Sequence, residues 1–166
     1  MHETPDDLTC LQALLDASIA QAGPFLRASF EMPAHSLSAA QLAGALQGMV
    51  HVALATVTAK GEPRVAPIGA LFYRGTFYIP TTANAARTRH IRQRPAVSLT
   101  CFRDNGFALI LHGRASVVAP DDPTFATLDA QHQASGDSSV LAWGEGVYLF
   151  IEPDVLYTYA RDPGAF

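Results

Sequence analysis

Apolar positions in the first fifty residues recur at helical spacing. Leu8, Leu11, Leu15 and Ile19 repeat three or four apart until Gly23-Pro24, which predicts a helix over about residues 5–22. Thr4-Pro5-Asp6-Asp7 supplies its start: a capping hydroxyl, a proline suited to the first helical position, and two acids at the positive end of the dipole. A linker containing Pro33 follows. Ser38-x-x-Gln41 then reads as a capping box ahead of Leu42, Leu46 and Met49, for a short second helix ending near Gly48.

From Val50 the texture changes to β-branched and aromatic runs separated by turn residues, the pattern of an antiparallel meander. Seven strands are expected, at 50–59, 64–73, 76–82, 96–104, 107–119, 146–152 and 154–160. The turns fall at Lys60-Gly61-Glu62-Pro63, Arg74-Gly75 and Asn105-Gly106. Two stretches between strands read as helices, Asn84–Arg94 and Pro123–Gln133. Short strands in this number, with small helices inserted, predict a mainly β fold closing into a barrel that hides its edges. The N-terminal helices, residues 1–48, carry too little apolar surface to fold alone. They are expected to pack on the outside of a barrel domain over 49–166, or across a dimer.

Composition narrows the function. Of 166 residues 49% are hydrophobic and 16% charged, as in an ordinary globular domain. The longest apolar stretch, Met49–Val57, is about half of the ~20 residues a bilayer crossing needs. The opening MHETPDD lacks the basic start of a secretory signal, so a cytoplasmic protein with no membrane partner is expected. Cys10 and Cys101 stand in unlike contexts and offer neither a metal pair nor a disulfide framework; both are expected to be buried thiols.

The net charge of −4 conceals a segregation. Arg64 to Arg114 holds eight arginines and one acid, Asp104, whereas the remainder carries −11. A concentrated basic patch on an acidic chain suits a small anionic ligand better than nucleic acid. Its densest part is Tyr78–Pro95, YIPTTANAARTRHIRQRP, where a strand delivers two threonines into an arginine-rich helix. Free amides at a helix start, nearby hydroxyls and an arginine on the first turn make an oxyanion cradle. A terminal phosphate is its natural guest, and a merely solvated basic face is the alternative. At 100° per residue Arg87 shares a face with Ile91, while Arg89 and Arg92 point the other way.

The succession GEPRVAPIGALFYRGTFYIPTT (61–82), ARTRHIRQRP (86–95), AVSLTCF (96–102) and LHGRASVV (111–118) resembles the pyridoxamine phosphate oxidase-like FMN-binding split-barrel family. The resemblance implies a six-stranded antiparallel split barrel, a homodimer with two flavin sites at its interface, and oxidoreductase chemistry on a small molecule. It places Ala66, Pro67, Ile68 and Gly69 beside the flavin ring, where small residues let backbone amides approach, and Thr81, Thr82 and Arg87 at the phosphate, with Arg89 a weaker candidate. Three departures argue against vitamin B6 oxidase activity itself: Ala86 replaces a basic residue at the phosphate, Ala108 replaces a glutamine facing the ring, and YARDPGAF closes the chain without a tryptophan-and-arginine motif. A deazaflavin coenzyme on the same barrel is the second reading, and a haem- or flavin-binding sensor or stress protein without turnover the third.

The six histidines show no metal-ligand spacing. His90 and His112 are the ones to follow as haem ligands. Trp143 belongs either to the core or over a flavin of the partner subunit. A serine hydrolase is excluded by the absence of a G-x-S-x-G elbow.

Overall fold

A computed structural model describes residues 2–104 and 106–166. In chain order its elements are α1 (Pro5–Gln21), α2 (Pro24–Ser29), α3 (Ala39–Ala45), β1 (Met49–Val57), β2 (Pro63–Tyr73), β3 (Thr76–Thr82), α4 (Ala86–Gln93), β4 (Ala96–Arg103), β5 (Phe107–Val118), α5 (Phe125–Ala134) and β6 (Gly146–Ala160). A 3-10 turn, Val140–Trp143, lies between α5 and β6. No described helix is long and apolar enough to cross a membrane.

The strands form one closed antiparallel barrel in the order β1-β2-β3-β6-β5-β4. Alternation along each strand sets what it buries: Val50, Val52 and Leu54 of β1 face inward, as do Phe107, Leu109 and Leu111 of β5. Leu11, Leu15, Leu37, Leu42 and Leu46 belong to the same hydrophobic cluster as these interior residues, so the N-terminal helices complete the barrel's own core. Thr4 with Asp7 and Ser38 with Gln41 both form reciprocal capping boxes. The Leu156 amide donates to Ser18 Oγ and the Leu37 amide to Thr158 Oγ1, both at 2.9 Å, tying the helical segment to β6.

Several expectations are corrected. The two last strands are one, because Pro153 sits opposite Gly113 where Asp154 bulges out of β6, which bends the ribbon without breaking it. A Cβ on Gly113 would lie 2.1 Å from the Glu152 carbonyl oxygen, so only glycine permits this close approach. The linker after α1 contains α2, started by Pro24. Cys101 is buried but Cys10 is exposed, since α1 turns Leu11 and Leu15 inward instead. Asn105, half of one expected turn, lies outside the described residues.

One irregularity positions the site. β2 pairs with β1 from Pro63 to Leu71, but with β3 only over Leu71–Tyr73. From Pro63 to Ala70 the second edge of β2 has no strand beside it among the described residues, and the sheet is split there.

Candidate functional site

The split opens into a cavity of about 610 Å³ lined by residues of three walls, within the size range of small-molecule sites. The β3–α4 wall is built by local sequence. Pro80, Thr81 and Thr82 end β3, and the Thr88 hydroxyl donates to the Thr82 carbonyl at 2.8 Å, folding the first turn of α4 back onto the strand. Thr88 and Ile91 are buried against the barrel. That orientation carries Arg87 to the strand, where its Nη1 donates to Thr81 Oγ1 at 3.1 Å. The N-cap of α4 is Ala85, which has no side chain to satisfy the first-turn amides. An unsatisfied helix start, a buried hydroxyl and a guanidinium therefore converge on one end of the cavity.

The β1–β2 wall supplies Met49, His51, Ile68 and Gly69. A Cβ on Gly69 would fall 2.5 Å from the end of the Met49 side chain, so glycine leaves that side chain room to lie against β2. The third wall is α5 with the 3-10 turn, contributing His132, Asp137 and Trp143. It is held from beneath by Asp129, whose Oδ1 accepts from the Val140 amide at 3.0 Å and the Tyr148 hydroxyl at 3.2 Å, and whose Oδ2 accepts from Gln133 at 3.0 Å. Burial alone would raise the Asp129 pKa, but hydrogen bonds from Ser139, Val140, Tyr148 and Gln133 outweigh it and hold the carboxyl below its ordinary range. Burial, then the neighbouring Asp129 charge, pushes the Tyr148 hydroxyl far up. Gly146 lets the turn lie on β6, because a Cβ there would be 2.1 Å from the Val140 carbonyl oxygen.

Of the residues expected at a cofactor, Ile68, Gly69, Thr81, Thr82 and Arg87 line this one cavity. Ala66 and Pro67 lie on the same stretch of β2, paired with β1 on one edge and with no strand on the other among the described residues, but outside the cavity lining. Arg89 turns back to the Asn84 carbonyl at 2.5 Å, away from the cavity. Arg92 donates to the Ala83 carbonyl at 3.2 Å and borders a neighbouring cavity of about 500 Å³. His90 shares a hydrogen bond with Thr56 and His112 with Ser98; neither lines the large cavity. Trp143 is a wall of its own chain's cavity, 43% exposed and anchored by Nε1 donating to Ser138 Oγ at 3.1 Å. His51, His132 and Asp137 were not singled out as site residues by their sequence context, since nothing within a few positions of each marks it. Among the described residues no three His, Cys, Asp or Glu side chains group as a metal site.

The family model of pyridoxamine 5'-phosphate oxidase matches residues 39–144, which takes in all three walls. The chain belongs to this family. No curated protein matches it. Among solved structures, a conserved hypothetical protein of Mycobacterium tuberculosis aligns at TM-score 0.68 and 15% identity, covering 80% of this chain and 90% of that one. An F420 reductase aligns at 0.55 and 20% identity, covering 67% and 91%. The haem storage protein HutZ of Vibrio cholerae aligns at 0.61 and 18% identity, covering 72% and 93%. Identities this low establish a shared split-barrel fold.

Proposed function

We propose that this chain binds FMN in the split between β2 and β3 and works as an oxidoreductase on a small molecule. The observation that carries the reading is the Arg87–Thr81 pair at the uncapped start of α4, beside a backbone edge without a strand. The residues fit the group. Arg87 and Thr81 would hold a phosphate by charge-assisted bonds together with the α4 amides. The β2 edge at Ile68 and Gly69 offers main-chain donors and acceptors to a flat heterocycle, and Met49, Ile68 and Trp143 restrict water around it. Bound FMN would supply hydride transfer, while the protein supplies placement and electrostatics.

A homodimer is part of this proposal. Val65 is 71% and Phe102 70% exposed, and both belong to the outer face that Ala55 and Ser98 share across β2, β1 and β4. Exposed apolar side chains on a face of small residues suit a second copy of the chain.

A deazaflavin coenzyme is the second reading, favoured by the second cavity beyond the phosphate end, where Arg92 stands ready for an anionic tail, and by the likeness to an F420 reductase fold. Haem is the third, for which His51 and His132 are the cavity's nitrogen donors. The test is to purify the protein, extract whatever it carries, and weigh it. FMN, or a colourless protein that quenches added FMN fluorescence, supports the first reading. A deazaflavin or haem mass, or no response to FMN, overturns it.

A further inference from the structure

Among the described residues the cavity lining holds one guanidinium, Arg87, and one carboxylate, Asp137, on different walls. The Asp137 side chain is 52% exposed, and its Oδ2 stands 3.5 Å from Nε2 of the buried His132. No described Lys or Arg pairs with it. The indole of Trp143, 43% exposed, packs on the same imidazole at 5.5 Å between centroids. One buried ring thus gathers an accessible carboxylate and an accessible indole, and both line the cavity. Their segment is fixed along its length: Ser138 Oγ accepts from Trp143 Nε1 at 3.1 Å, Ser139 Oγ accepts from the Leu141 amide at 3.2 Å, and the Val140 amide donates to Asp129 Oδ1 at 3.0 Å. A carboxylate and an aromatic ring held together in a site that need not reorganise suit an organic cation, whose N–H groups the carboxylate accepts and whose charge the ring attracts.

Resting on the flavin reading above, in which the phosphate takes Arg87, we propose that Asp137 and Trp143 form the subsite for the small molecule that shares the cavity with the flavin, and that this molecule is an organic cation, a primary amine or an amidine on a small planar body. FMN carries an anionic phosphate and no cationic group, so it leaves the carboxylate to the second occupant. Asp137 accepts that molecule's N–H groups in charge-assisted bonds, and Trp143 lies against its charge.

The experiment titrates benzamidine, a planar cation, and benzamide, its neutral counterpart of nearly the same shape, into the protein by calorimetry, with and without saturating FMN. Wild type is expected to prefer benzamidine by about tenfold. Asp137→Asn should abolish the preference and leave benzamide binding unchanged, and Trp143→Leu should reduce the preference by about threefold. Asp16→Asn, on the outer surface of α1, removes the same charge elsewhere and should keep the preference. Equal binding of the two probes by wild type overturns the proposal, as does a preference that survives Asp137→Asn or is lost equally in Asp16→Asn. An unchanged preference in Trp143→Leu overturns the part assigned to the indole. A thermal melt checks each variant, and Asp137→Ser replaces Asp137→Asn if the latter does not fold; the wild-type comparison needs neither. A preference seen on the unloaded protein but lost with FMN bound would mean that the flavin covers Asp137, and overturns the claim of a second occupant. Failure of wild type to bind FMN would count against the flavin reading alone, because benzamidine on the unloaded protein still decides whether Asp137 holds a cation.

Discussion

Two walls of the cavity are built by different means. The β3–α4 wall is a continuous stretch in which Thr81, Thr88 and Arg87 are fixed by hydrogen bonds that each span six residues. The α5 wall gathers His132, Asp137 and Trp143 through Asp129, whose partners reach from Gln133 to Tyr148. The first wall leaves donors free and suits an anion. The second presents an imidazole, a carboxylate and an indole.

That contrast makes stability and binding separable. The largest effect is expected from Asp129→Ala, which strands the buried Tyr148 hydroxyl and the Val140 amide and should cost on the order of 3 kcal/mol in denaturant unfolding. Acid gives a second reading of the same carboxyl. Its folded pKa lies below the ordinary 3.8, so its stabilisation is present above that value and is lost as the pH falls through the folded pKa. Asp129→Asn should flatten the acid limb of the stability profile. An unchanged limb would show that this carboxyl does not hold the wall.

Arg87→Ala should leave unfolding nearly unchanged and weaken FMN by roughly 1.5–3 kcal/mol, about one to two decades. Trp143→Ala comes next, with a loss of about 0.5–1.5 kcal/mol for any aromatic ligand and an equal effect on FMN and riboflavin, since it touches no phosphate. Arg92→Ala, turned to the Ala83 carbonyl and the neighbouring cavity, should change FMN affinity least. Equal losses for the Arg87 and Arg92 variants would replace a built phosphate site with a diffuse positive field.

The same contrast explains how much was legible in the sequence. Helix starts, strand runs and the position of Arg87 are local, set by caps, alternation and a 100° turn. The barrel followed from strand number and from family resemblance. The single bent β6 was not legible, because a proline in a strand reads as a boundary unless one knows that Gly113 lies opposite it. The α5 wall was not legible either. His132 and Trp143 lie eleven positions apart and meet only because Asp129 pins the 3-10 turn and Gly146 lets it settle on β6. Arg89 leaves α4 on the face that the 100° rule gives it, away from Arg87, and its long stem bends back to the Asn84 carbonyl.

The most direct test of the account is the affinity of the wild-type protein for FMN against riboflavin, titrated under one set of conditions. A phosphate held by Arg87, Thr81 and the amides of α4 predicts FMN tighter by about one to two decades. Equal affinities, or no binding of either, would contradict it.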